Sequence, residues 1–257
     1  MKQLRNLVVV LGLVALGGSI ANAAGNVLTN GNLDLTFAHE IVPGFFLPKP
    51  VGWVNEGVRT NTGPYEDEMS SEPWAGPAPT PVTADGLANP PHPDGCGGPD
   101  CAVFFKPFSG NLSTGDLATG HLYQDNPGTP KMRYILMGWA GAEANAAMAD
   151  AVLAVEFLDA GGVEIPLSGA QLSLLPTLVV DNGEPFDYKK YTVEAVAPDG
   201  TATVRSRVSM IGAYANPAGG GQAFVVDDFT LMCIPEPASI TLGLLGLVGL
   251  IGLARRR

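Results

Sequence analysis

The chain has 257 residues, with 14 Lys and Arg against 25 Asp and Glu, a formal net charge of −11 and a mean hydropathy of +0.19. That length accommodates one large β domain or two small ones with ample core. The charge excludes a nucleic-acid partner, because a phosphate backbone is gripped by cationic side chains. With 33 Gly, 22 Pro and only 15% charged residues, the composition suits short strands joined by turns rather than a helical bundle.

Residues 1–23 have the three parts of a secretory signal peptide. Lys2 and Arg5 charge the start, Leu7–Ile20 is apolar, and Ala21-Asn22-Ala23 offers a small-residue cleavage site ahead of Ala24. The alternative is an uncleaved anchor, for which the run is short. Export is therefore expected, with the domain occupying residues 24–233.

From Asn26 the pattern is strand-like. Asn26–Leu35 reads as a strand, an Asn30-Gly31 turn and a continuation, and Gly52-Trp53-Val54 as another short strand. Residues 62–100 carry nine prolines and read as a long surface loop with extended pieces, because Pro cannot pair in a central strand. Ala102–Lys106 resumes the sheet. His121–Asp125 and Lys131–Trp139 follow, split by Asn126-Pro127-Gly128-Thr129-Pro130. Ala140–Ala149 is Ala-rich and predicts a short helix. Val152–Leu158 and Val163–Leu167 flank Asp159-Ala160-Gly161-Gly162 as one hairpin. Tyr188–Ala197 and Thr201–Met210 flank Pro198-Asp199-Gly200 as another. In the latter, Ala202, Val204, Ser206, Val208 and Met210 share one face and Thr203, Arg205, Arg207 and Ser209 the other. Ala223–Met232 closes the domain. About ten short strands without a βαβ rhythm predict an all-β antiparallel sandwich.

At the end of the chain, Pro235-Glu236-Pro237 precedes the uncharged stretch Ala238–Ala254, and Arg255, Arg256 and Arg257 finish it. Seventeen residues as a helix reach roughly 25 Å, barely the hydrocarbon thickness of a membrane, and the arginines favour its cytoplasmic side. Glycines at 243, 246, 249 and 252 weaken such a helix. This order of elements resembles the PEP-CTERM sorting signal. The resemblance implies that an exosortase recognises the tripeptide, removes the tail while the chain is transiently anchored in the inner membrane, and passes the protein to the envelope surface or extracellular matrix. A plain C-terminal anchor is the alternative. Between the two ends, nine basic and 24 acidic residues remain, a net charge of about −15. Such a surface favours solubility, cations and neutral ligands over anionic polymers.

A second resemblance lies in Leu28–Asp34 and Val225–Leu231, which are similar to the opening and closing strands of galactose-binding-like jelly rolls, although Asn32 and Asp34 depart from the usual opening. The middle of the chain, from His121–Asp125 to Val155–Asp159, resembles domains often paired with PEP-CTERM tails. The implied fold is a jelly-roll-like sandwich, and many carbohydrate-binding modules share it.

Candidate site residues follow. Cys96 and Cys101 predict a local disulfide in an exported chain, the alternative being free or differently paired thiols, with Cys233 left over. Asp34, Asp227 and Asp228 would supply hard oxygen ligands for structural Ca²⁺, as the jelly-roll resemblance implies, or form a solvated acidic group; strand alternation points Asp227 and Asp228 to opposite faces. Tyr65 and Trp74, in the loop, are the aromatic residues best placed to stack on sugar rings of an extracellular polysaccharide, unless they pack the loop down, whereas Trp53 and Trp139 are expected in the core. Glu66-Asp67-Glu68 reads as a solvated face. No G-x-S-x-G, H-E-x-x-H or Walker-type motif occurs, and His39, His92 and His121 are scattered. The expected role is therefore non-catalytic, structural or adhesive. Carbohydrate binding stands as the alternative, and a secreted hydrolase with a carboxylate pair behind it.

Overall fold

The computed structural model describes residues 25–65, 69–73, 96, 101–106, 109–178 and 188–235. The signal-peptide positions Ala21, Ala23 and Ala24, the loop residue Trp74, and the terminal Glu236, Pro237, Arg255, Arg256 and Arg257 lie outside them.

Thirteen strands make up the described residues, with a single 3₁₀ turn at Leu112–Thr114. They are β1 (Thr36–Val42), β2 (Phe45–Pro50), β3 (Val54–Arg59), β4 (Gly63–Tyr65), β5 (Met69–Pro73), β6 (Cys101–Phe105) and β7 (Ala118–Pro127). After these come β8 (Met132–Ala142), β9 (Asp150–Leu158), β10 (Ala170–Ser173), β11 (Lys189–Val196), β12 (Thr203–Ala213) and β13 (Phe224–Pro235). All pairings are antiparallel. One sheet has the order β10-β9-β12-β7-β3-β4, the other β11-β8-β13-β6-β5, and β1-β2 form a separate hairpin.

Period-2 burial explains why the two sheets face each other. On β7 Ala118, Gly120, Leu122, Gln124 and Asn126 are buried in alternation, and on β12 Val204, Ser206 and Val208. Together with Leu153, Val155 and Phe157 they meet Phe105, Leu136, Val193, Phe224 and Val226 of the opposite sheet in one core. Tyr134 of one sheet and Phe157 of the other touch across it with ring centroids 5.8 Å apart. The protein is thus an antiparallel β-sandwich, as the strand pattern predicts.

Three local expectations are corrected. Ala140–Ala149 is not a helix: the strand β8 continues to Ala142, and the residues that follow form turns, consistent with the weak propensity of Gly141 and Asn145. β11 and β12 are not a hairpin. β11 pairs with β8 and β12 with β7 and β9, so Pro198-Asp199-Gly200 carries the chain from one sheet to the other. Val163–Leu167 forms no strand, only an isolated bridge between Glu164 and Leu158.

The segment Asn26–Leu35 is a turn structure rather than a strand pair. Asn26 Nδ2 donates to the Phe229 carbonyl (3.1 Å), its Oδ1 accepts from Leu231 N–H (2.9 Å), and Phe229 N–H donates to the Gly31 carbonyl (2.7 Å). A Cβ at Gly31 would sit 2.3 Å from the Phe229 oxygen, so only glycine permits this approach. Buried Gln124 holds the same segment from the other side, accepting from Thr29 N–H (2.8 Å) and donating to the carbonyls of Thr29 (2.8 Å) and Gly52 (3.0 Å). The expected 62–100 loop begins with two strands, β4 and β5, both at sheet edges, where proline is tolerated.

Candidate functional site

The polar half of β12 is the starting point. Arg205 and Arg207 point away from the core, and register places Asp125 of β7 opposite Arg205, with Glu156 of β9 on its other side. Arg205 donates to both oxygens of Asp125, Nε to Oδ1 at 2.7 Å and Nη2 to Oδ2 at 2.8 Å. Such a planar fork suits a carboxylate. The same guanidinium lies 4.0 Å from the centroid of the Tyr123 ring, and the Tyr123 hydroxyl donates to Glu56 Oε1 of β3 at 2.9 Å. Burial, then the bond to Glu56, hold the Tyr123 hydroxyl above its ordinary pKa. The carboxylate of Asp125 holds Arg205 above its own.

Arg207 pairs with Glu156 through Nε (2.9 Å) and Nη2, and its Nη1 donates to Ser209 Oγ at 2.6 Å. His121 Nδ1 lies 2.7 Å from the same oxygen. Ser209 Oγ thus sits between the Arg207 guanidinium and the His121 imidazole. Burial, and then the Arg207 charge, depress the His121 pKa. Beside this ladder a shallow groove of about 260 Å³ runs along β9 and β10, lined by Ala154, Glu156, Glu164, Leu167 and Gln171. The face therefore presents fixed donors and acceptors in a plane, with one aromatic ring capped by a cation.

The residues expected to bind metal are placed differently. Asp34 is buried, accepting from Cys101 N–H at 2.8 Å and from Asn32 Nδ2. Asp227 is 1% exposed and accepts the N–H of Asp228 at 2.7 Å. A bulge between Asp227 and Thr230, with Asp228 at φ 49°, breaks the alternation expected there. Among the described residues no three acidic, His or Cys side chains come together as a metal-binding group.

Tyr65 packs its ring over Gly57, where a Cβ would lie 2.9 Å from Cζ, and its hydroxyl is buried. It is part of the packing at the sheet edge rather than an open stacking platform. Trp53 is buried and donates from Nε1 to the Asn30 carbonyl (2.9 Å), while Trp139 is half-buried against the outer face of the five-stranded sheet. Cys96 and Cys101 are joined by a disulfide, with Cα atoms 6.0 Å apart. Cys233 is half-buried against the core. The buried Tyr134 hydroxyl, held by burial and by Cys233, has its pKa pushed up to about 12.

Sequence analysis put Arg205, Arg207 and Ser209 on one face but missed their partners. Asp125, Glu156 and Glu56 carry no local signal, because only strand register sets them beside the arginines.

The remaining site is the end of β13. Ile234 pairs with Arg133 and Pro235 with Met132, so the strand passes directly into Pro235-Glu236-Pro237. The closing strand of the antiparallel sandwich thus leads in sequence into Pro-Glu-Pro, an apolar stretch and arginines. Residues 234–257 match the PEP-CTERM protein-sorting motif, and the chain thus carries a signal for sorting to the cell envelope or surface.

No curated protein matches this sequence. Among solved structures, the chain is similar to a carbohydrate-binding module, TmCBM61, solved with β-1,4-galactotriose (TM-score 0.37, 16% identity, covering 81% of this chain and 98% of that one). It is also similar to the CBM22-1 xylan-binding domain of Paenibacillus barcinonensis Xyn10C (TM-score 0.39, 10% identity, 72% and 87%). A third similarity is to the enzymatically active domain of bacteriophage CBA120 tailspike protein 4 (TM-score 0.44, 12% identity, 81% of this chain). The chain spans 21% of that tailspike chain.

Proposed function

We propose that this is an exported protein, processed by an exosortase and delivered to the cell surface or extracellular polymer matrix, where the sandwich works without catalysis as a structural or adhesive component. The observation that carries the reading is the direct continuation of β13 into the sorting tripeptide. The folded domain and the signal share only Ile234 and Pro235, the last two residues of β13, so removal of the tail beyond the tripeptide leaves every strand in place. In the proposed route the apolar segment at 238–254 holds the chain in the inner membrane until processing.

The test is intact mass and fractionation from a host with an exosortase, beside the variant P235A/E236A/P237A. The wild type should lack both chain ends and appear at the envelope surface or in the matrix, with the variant retained in the inner membrane. An intact C-terminus in both would overturn the reading.

A second reading, recognition of a polysaccharide, is favoured by the polar outer face of the six-stranded sheet. Its groove offers Gln171 and Glu156 to hydroxyl groups, with Tyr123 nearby on the same face. Retention on a polysaccharide that falls at least tenfold in Gln171→Ala, with the melting temperature unchanged, would support it; equal retention would remove it.

A further inference from the structure

The end of the sandwich that carries Pro235 is well defined by register. Pro235 lies opposite Met132, Ile234 opposite Arg133, and Arg133 opposite Val196. Three turns gather there. Lys131 N–H bonds the Ala197 carbonyl (2.7 Å), Gly128 N–H the Ala202 carbonyl (2.9 Å), and Asp159 N–H the Val163 carbonyl (2.9 Å), while Thr203 pairs with both Pro127 and Leu158. This end is not purely polar. Val163 is 64% exposed and Val196 41%, and Pro127 and Pro130 are exposed beside them. Lys131 and Arg133 add two cations, facing Asp199 at 3.3 Å and Glu194 at 3.8 Å.

Two residues, Glu236 and Pro237, separate this end from the apolar stretch that begins at Ala238. From Pro235 to Ala238 the chain takes three residue steps, which fully extended span about 10 Å. The polar headgroup layer on one side of a bilayer is itself roughly 5–7 Å thick. If Ala238 enters the hydrocarbon, Pro235 is held within about 5 Å of the headgroup layer or inside it, and the sheet that holds Pro235 must follow it.

We propose that, while the tail is inserted, the sandwich stands on the lipid surface on this end, with Val163, Val196, Pro127 and Pro130 seated among the headgroups and Lys131 and Arg133 beside phosphates. This rests on the sorting reading above. Acidic Asp159, Asp199 and Glu194 at the same end oppose adhesion to anionic lipid, so the contact depends on the short tether and its high effective concentration. The opposite end then points outward. Met69 is level with Phe105 and Phe224, the first residue of β13, and buried Lys49 donates from Nζ to the Met69 carbonyl. The β1-β2 hairpin, with exposed Phe37, Phe45 and Phe46, is also held at its root by Asn30 Nδ2, which donates to the carbonyls of Leu35 (2.9 Å) and Val51 (3.0 Å).

Amine footprinting tests this without a mutation in the contact. The chain from Ala24 to Arg257 is bound to phosphatidylcholine–phosphatidylglycerol vesicles, floated, and treated with an acylating reagent. Lys131 should react several-fold more slowly than Lys190, an exposed residue level with Trp139 further up the sheet. Insertion of about a dozen Gly and Ser residues between Pro235 and Glu236, reaching roughly 40 Å, should restore equal rates. Equal rates on floated vesicles before insertion would overturn the docking and leave sorting intact. Slow Lys131 after insertion would overturn the tether as its cause. Failure to float would overturn tail insertion itself, and the docking with it.

Discussion

The two outer faces of the sandwich are built from the same antiparallel geometry and are treated in opposite ways. Outside the six-stranded sheet, charged side chains stand in pairs, Arg205 with Asp125 and Arg207 with Glu156, and remain partly exposed. Outside the five-stranded sheet, Ala102, Phe104, Tyr188, Ala223 and Val225 form a second buried apolar cluster, separate from the core between the sheets. Burial, and then the charge of buried Asp227, push the Tyr188 hydroxyl well above the usual range. The difference is clearest between β12, buried on one side through Thr203–Val208, and β6, buried on both. β6 is buried at every residue, whereas β12 alternates through its polar half. A sheet covered on both faces needs a continuous apolar strand, and a sheet wetted on one face needs an alternating one.

The strongest way to break this comparison is Phe104→Ala. If the outer face of the five-stranded sheet is a true core, the variant loses about 3–5 kcal/mol, as for a buried Phe elsewhere. A loss below about 1 kcal/mol in chemical denaturation would return that face to the surface class.

Next in size is the double variant C96S/C101S. The bridge closes a short loop at the start of β6, beside the Asp34 bond to Cys101. Its removal should cost about 2 kcal/mol by the chain-entropy relation, readable as a lower urea midpoint at the same slope.

On the polar face the effects should be smaller. A double-mutant cycle on Arg205→Ala and Asp125→Ala is expected to give a coupling of about 0.5 kcal/mol, decreasing with added salt, because both side chains are partly exposed. A salt-independent coupling several times larger would mean that this face is shielded too.

The subtlest test is pH. His121 in the folded state has a pKa below its ordinary value near 6.5, so the unfolded chain binds more protons between the two values. Its contribution to stability is whole above about pH 6.5 and falls as the pH drops towards the folded-state value. His121→Gln should flatten that part of the pH–stability curve; an unchanged slope would show that another group carries it.

Much of this was legible in the chain itself. Alternation in Thr203–Met210 gave the two faces of β12, and the run Ala102–Lys106 gave a strand, though not that both its sides are buried. The tripeptide, apolar stretch and arginines gave the sorting signal, because such signals are linear and are read as sequence. Turn chemistry was legible as reversal but not as destination. Pro198-Asp199-Gly200 does reverse the chain, yet it crosses between sheets, and a turn residue carries no record of which strand comes to lie alongside. The surroundings of the acidic residues were illegible for a related reason. Asp34 and Asp227 are acidic in sequence, but only the fold brings Cys101 and Asn32 to Asp34 and sets the Asp228 N–H on Asp227. The sequence by itself determined the strand count class, the acidic export domain and its address, all properties of local pattern and composition. Only the tertiary structure decided which carboxylates meet which arginines, which outer face is buried, and which end of the sandwich holds the tail. Those depend on register between strands distant in sequence, and a one-residue slip would reverse every side chain involved.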